Sequence, residues 1–294
     1  MKSYLSLVPI SAKVRKRQNR MTILCVIISI FLVTAIFSVA DMMIRTQSDR
    51  MTGKNGSWHI ELDGISQETA LKIAERDDVV SIGAVTIFNP DGELPYRMDG
   101  KRVVLYGIDQ SYLTMNSTGA AEGRFPQGMG EIMLSSNAAR VLQVAVGDTV
   151  TLRTPSGDWD FTVSGLGGVE ESYYSGQYSL MDAYLPRTAF AALMEQNNVH
   201  NLQTSYYVQF TSASKAAKAI PELTAQHNLP ENAVSENTGV MAIAGQSDSS
   251  AAKNVYSLAA VLFVLVLLAG VLMISGSMNS NLAQRIQFFG MMRC

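Results

Sequence analysis

Two long apolar runs without a single charge, residues 21–40 and 255–278, constrain this chain more than any other feature. Crossing a hydrocarbon layer ~30 Å thick takes roughly 20 helical residues, and each run is that long. A buried core helix would carry a polar stripe or be shorter, and the second run has neither trait. The first run sits behind a basic start and so invites comparison with a cleaved signal peptide. It is longer than an ordinary signal core, and Ser38, Val39 and Ala40 make a weak cleavage match, which favours an uncleaved helix.

Charge then orients the spans. Lys2, Lys13, Arg15, Lys16, Arg17 and Arg20 precede the first run with no acid among them, which places the N-terminus in the cytoplasm by the positive-inside rule. Directly before a membrane helix such a cluster is a topology signal, with contact to membrane lipids secondary, and no nucleic acid need be invoked. Residues 41–254 hold 15 Lys/Arg against 25 Asp/Glu, a net of −10, and only Arg285 and Arg293 follow the second run. The expected layout is a basic cytoplasmic start (1–20), a first span (21–43), an extracytoplasmic domain (44–254), a second span (255–278) and a cytoplasmic segment (279–294). The two cysteines, Cys25 and Cys294, leave the external domain without a disulfide, so it must fold on its own apolar core.

Within the external part, residues 57–63 alternate as a strand does. Residues 66–76 carry apolar side chains at helical spacing behind an N-cap at Ser66, and 79–88 are β-rich up to a turn at 89–92. A second β-α-β unit is read at 204–210, 213–228 and 233–235, with Pro221 interrupting or bending its helix. The expected fold is thus α+β, two ferredoxin-like β-α-β units flanking a β-rich inserted subdomain at about 90–201. In that insertion, helices are expected at 135–143 and 186–195, with Pro186 as a first helical residue, and a hairpin joins 149–153 to 159–164. Residues 236–254 read either as a loop or as a helix running on into the second span.

The residues point away from catalysis. No Gly-rich phosphate loop with its Lys is present, and no Gly-x-Ser-x-Gly nucleophile turn occurs. His59, His200 and His227 lack a second ligand at metal spacing, so neither a metal nor a cofactor is expected. Glu170 and Glu171 beside Tyr173 and Tyr174 read as a solvated turn, and Gly165, Gly167 and Gly168 as a tight bend.

One stretch is more specific. Residues 122–152 give a Gly/Pro turn, a short strand, a helix capped by Ser135 or Ser136, and a Gly147-Asp148 turn into another strand. Glu122, Gly123, Arg124, Pro126, Gly130, Glu131, Ile132, Leu134, Ser135, Leu142, Val144, Val146, Gly147, Asp148, Thr149 and Val150 follow a pattern that resembles the external core domain of FtsX-like, MacB-type permeases, membrane subunits of ABC transporters. After the second span, Asn279, Arg285, Gly290 and Arg293 are similar to a motif of the same family, whereas Gln284 and Phe288 stand where it usually has acids.

The resemblance implies a non-catalytic, multi-pass subunit of a bacterial plasma membrane that works as a homodimer or heterodimer of permeases. It implies a cytoplasmic ATP-binding partner contacted through Arg285, Phe288, Phe289, Gly290 and Arg293. It also implies further membrane helices beyond Cys294, and structural roles for Gly123, Arg124, Pro126, Glu131, Gly147 and Asp148. The cargo class it implies is peptides, lipoproteins or other envelope components. A membrane-anchored sensor or regulator of envelope processes, without transport, is the alternative; an external hydrolase is the weakest reading.

Overall fold

The computed structural model describes residues 16–116, 120–167, 180–243, 257–272 and 275. They fall into two units, Met1–Gln47 with Ala251–Cys294, and Ser48–Ser250.

In the first unit, helix α1 (Lys16–Asn55) contains a stretch, Val26–Asn55, long and apolar enough to cross a membrane. Its apolar side chains point outward, Phe31 being 69% exposed, as suits a helix solvated by hydrocarbon. A second apolar helix, Ser257–Leu272, covers the described part of the run at 255–278. The two touch where side chains are small or flat: Ala40 and Ala259 are buried, and the rings of Phe37 and Phe263 lie 5.7 Å apart.

The second unit begins with β1 (Ile60–Leu62), α2 (Gln67–Ala74) and β2 (Val79–Phe88). Ser66 caps α2, its hydroxyl accepting from Thr69 N–H at 3.1 Å, and Glu68 sits in the positive first turn. The turn after β2 closes with Gly92 N–H to Asn89 C=O at 2.9 Å, Asn89 taking the left-handed conformation that asparagine tolerates. There follow β3 (Arg97–Met98), β4 (Lys101–Ile108), α3 (Gln110–Met115), β5 (Ala120–Gly123), β6 (Glu131–Leu134) and α4 (Ser136–Leu142). Helix α3 was not expected; Asp109 caps it through Tyr112 N–H at 2.8 Å. Next come β7 (Thr149–Thr154), β8 (Gly157–Gly167), β9 (Leu180–Pro186) and α5 (Arg187–Gln196). Pro186 ends β9 and stands at the N-cap of α5, one position before the first helical residue expected for it. The unit closes with β10 (Thr204–Phe210), α6 (Ala213–His227), β11 (Val234–Glu236) and α7 (Thr238–Ile243). Helix α6 runs unbroken through Pro221, so the interruption foreseen there does not occur; burial of Ala216, Ala219 and Leu223 along one face holds the turn together.

The strands of the two β-α-β units interleave in the order β11-β1-β10-β2, each neighbouring pair antiparallel. Their core packs Ile60, Leu62, Val208 and Phe210 against Ala70 and Ile73 of α2 and Ala216 and Leu223 of α6. The sheet does not stop at the insertion, because β2 pairs with β4 from Val85↔Ile108 to Phe88↔Leu105. From β4 it continues β3-β7-β8-β6-β9, and β9 returns to β4 in parallel, Arg102↔Leu180 to Ile108↔Pro186. Six strands thus close on themselves, which removes the open edges a separate β-rich layer would expose. Leu105, Ile132, Leu152, Phe161, Val163 and Leu185 fill the ring, and Phe190 and Leu193 of α5 close over it. A third, small core outside the ring wall joins Val85, Ile108, Leu113, Met133 and Tyr184.

Candidate functional site

Two sets of residues were singled out in the sequence, and they fare differently. Arg285, Phe288, Phe289, Gly290 and Arg293 lie outside the described residues. Gly123, Arg124, Pro126, Glu131, Gly147 and Asp148 converge on one stretch of β8. Arg124 N–H donates to Ser164 C=O at 2.9 Å, Gly147 N–H to Val163 C=O at 2.8 Å, and Val163 N–H to Asp148 C=O at 2.8 Å.

Each motif residue has a local reason. Gly123 has φ +73°, and a Cβ there would stand 2.3 Å from Ser164 C=O, so only glycine fits. Pro126 is buried beside it. Arg124 forks onto Glu131, with Nη1 donating to Oε2 at 2.9 Å and Nη2 to Oε1; Glu131 Oε2 also accepts from Gln127 N–H at 2.8 Å and Gly128 N–H at 3.2 Å. The arginine bond and the two backbone donors hold the Glu131 carboxyl down at about 2. Gly147 turns the chain at φ +97°, and Asp148 Oδ2 accepts from Ala145 N–H at 2.8 Å. This constellation is a corner brace and leaves no free nucleophile or base.

A joint that the sequence reading missed lies where the chain enters and leaves this unit. Asn237, 2% exposed, donates from Nδ2 to Trp58 C=O at 3.0 Å and to Asn55 and Gly56 C=O at 3.4 Å. Its Oδ1 accepts from Val240 N–H at 3.4 Å, as an N-cap of α7 does, and its own N–H donates to His59 C=O at 2.9 Å. One buried amide therefore ties the last residue of α1 to the helix that leads toward the second apolar run. Packing enforces the approach: a Cβ on Gly239 would meet Asn55 Nδ2 at 2.4 Å and Met51 Sδ at 3.4 Å. The signal available in the sequence was an Asn three residues before a Val in a small polar segment, which is too common to single out.

The remaining buried polar groups are structural. His59 Nδ1 accepts from Phe210 N–H at 3.1 Å, and burial holds the ring below its usual pKa, hence neutral. Tyr207 donates to Glu61 at 2.7 Å, and burial raises the Glu61 carboxyl. Asp182 on β9 is 7% exposed; Tyr106 hydrogen-bonds its carboxyl, whose Oδ1 has no partner among the described residues, and burial pushes it up to about 6. No cluster of His, Cys, Asp and Glu that could hold a metal ion occurs among the described residues.

An apolar helix followed by an α+β domain defines a membrane-anchored class of protein. The sequence model of the MacB-like periplasmic core domain matches residues 21–226, and the chain belongs to that family, the external part of MacB/FtsX-like ABC transporter permeases. No curated protein matches the chain. Among solved structures, the periplasmic region of MacB from Actinobacillus actinomycetemcomitans is similar at 14% identity and a TM-score of 0.47, over 65% of this chain and 93% of that one. The extracellular domain of the noncanonic ABC-type transporter YknZ from Gram-positive bacteria is similar at 15% identity and a TM-score of 0.43, over 61% and 98%.

Proposed function

We propose that this chain is the permease subunit of an ABC transporter and carries force from a cytoplasmic ATPase to its extracytoplasmic domain, for export or extraction of peptides, lipoproteins or other envelope components. The observation that supports this most directly is Asn237, which binds the carbonyls of residues 55, 56 and 58 while capping the helix at 238–243. A side chain so placed makes the incoming and outgoing segments move as one.

In this proposal residues 21–43 and 255–278 are two spans of a multi-pass protein in a bacterial plasma membrane, and the permease works as a homodimer or heterodimer. The ATP-binding subunit docks on residues 279–294, with Phe288, Phe289 and Gly290 entering a groove and Arg285 and Arg293 flanking it, since aromatic and arginine side chains dominate such contacts. The test is co-purification of the full permease with the ATPase encoded beside it. Arg285→Ala combined with Phe289→Ala should abolish recovery of the ATPase from detergent, and undiminished recovery overturns the docking assignment.

A further inference from the structure

The seam that β3 makes with β7 is only two residue pairs long, Arg97↔Arg153 and Met98↔Leu152. Asp99 (φ 46°) and Gly100 (φ 73°) then turn the chain back into β4, so β3 stops while the edge of β7 runs on to Thr149. Val163 N–H donates to Asp148 C=O at 2.8 Å, and this bond sets the alternation of the β7–β8 ladder. Residues 150 and 152 bond to β8, and the backbone N–H and C=O of Thr149 and Thr151 face the other way. Beyond the seam no strand takes these groups up among the described residues. A groove of about 550 Å³ lies along this edge, with half-buried Leu142 and Val144 on its apolar side.

The charges that line the groove indicate its occupant. Arg97 and Arg153 stand directly opposite each other across the seam, a like-charge pairing that is destabilising unless an anion lies between the two. Arg97 Nη1 donates to Leu94 C=O at 2.6 Å and Tyr96 C=O at 2.9 Å, which fixes the guanidinium without neutralising it. Asp158 approaches Arg153 no closer than 3.6 Å, too far for a hydrogen bond. Asp99, on the opposite margin, lies 3.9 Å from Lys101. The two acids disfavour a multiply charged anion and leave room for one carboxylate.

We propose that this groove binds an extended peptide segment as an added strand, its backbone pairing with Thr149 and Thr151 and one carboxylate side chain lying between Arg97 and Arg153. Successive side chains of a strand point to opposite faces, so an apolar residue next to the acidic one reaches Leu142 and Val144. The open edge of three residues is about 10 Å long, which suits a short segment. The site is independent of the force-transmission proposal, since the joint at Asn237 contributes nothing to it.

The test is fluorescence anisotropy of a fluorescein-labelled peptide, Val-Glu-Val-Thr-Val with an amidated end, titrated with the full chain in lipid nanodiscs against empty nanodiscs. Wild type should bind it saturably. A peptide with glutamine in place of the glutamate should bind about tenfold more weakly, and Arg153→Ala should weaken binding of the original peptide by a similar factor, as loss of a charge-assisted bond does. N-methylation of alternate peptide amides should abolish binding, because strand addition needs those donors. Thr149→Pro deletes an N–H that the ladder to β8 does not use, at the first residue of β7, and should weaken binding with the circular dichroism spectrum unchanged. The proposal is overturned by the absence of saturable binding, or by binding that is indifferent to N-methylation or to Arg153→Ala. Self-association of the chain that Thr149→Pro abolishes would assign the edge to a second copy and also overturns it.

Discussion

Asp182 is a charge the fold holds at a cost, and replacing it with asparagine should make the external domain more stable at neutral pH. Its carboxyl is pushed from 3.8 to about 6 by burial, a shift of about two units, and at ~1.4 kcal/mol per unit the ionised form is disfavoured by about 3 kcal/mol. The sign follows from proton linkage. Between about pH 4 and pH 6 the folded state holds the proton that the unfolded state has released, so stability falls as pH rises through that window and stays lowered above it. Asp182→Asn removes the charge, keeps the shape, and still lets the Tyr106 hydroxyl donate, so a gain of about 2 kcal/mol is expected at pH 7.5 and close to none at pH 4. Urea unfolding followed by tryptophan fluorescence isolates the effect, because both tryptophans, Trp58 and Trp159, lie in the unit Ser48–Ser250. With an m-value of about 2 kcal/mol/M the midpoint should move up by about 1 M at pH 7.5. A variant less stable than wild type at pH 7.5, or a gain of the same size at pH 4, would refute the reasoning.

Asn237→Ala strands the buried Gly56 carbonyl and the half-buried carbonyls of Asn55 and Trp58 and removes a helix cap, and should lower the urea stability of the same domain by about 2 kcal/mol. Gly123→Ala should cost more than Gly100→Ala in thermal melts: both glycines have φ +73°, but only Gly123 has a backbone oxygen within 2.3 Å of the added methyl, while Gly100 pays only the left-handed penalty of about 1 kcal/mol. Glu131 acts in the opposite sense to Asp182. Its folded carboxyl lies near 2, so its stabilisation is present above about pH 4.5 and lost as pH falls toward 2, and Glu131→Gln should flatten that acid limb of the stability curve. Pro221→Ala restores an N–H donor inside α6 and should raise the melting temperature by a few degrees, as differential scanning calorimetry reads.

Much of the fold was legible where the encoding is local. The bounds of β2 and β10 follow from β-rich composition between turn residues, Ser66 caps the helix it was expected to cap, and of the two candidates Ser135 and Ser136 it is Ser135 that caps α4. The Asn89 turn and the β7–β8 hairpin stand where Gly and Pro put them. What escaped was either short or remote. Helix α3 is six residues long, less than two turns, so it shows no period, and Asp109 alone announced it. The parallel return of β9 to β4 joins residues about 80 apart, and no local pattern says which strand an apolar run will choose. The motif residues could be named from the chain, but their meeting on β8 could not, since it depends on hydrogen bonds to Val163 and Ser164 backbone that any side chain there would allow. Asn237 was hidden for the same reason: its partners are carbonyls, which carry no sequence signature.

The position of β1 has a consequence for how the domain is born. β1 lies between β10 and β11, so the first strand to leave the ribosome pairs only with the last two, Ile60 opposite both Val208 and Glu236. Until residues 204–210 have followed it across the membrane, β1 has no hydrogen-bonding neighbour on either side, and its second edge stays open until residue 236 arrives. Its pairing must therefore wait for about 150 residues of export, a delay that contact order translates into slow maturation. A chain stalled near residue 201 would expose an unpaired apolar edge, the form most prone to aggregation and to envelope proteolysis.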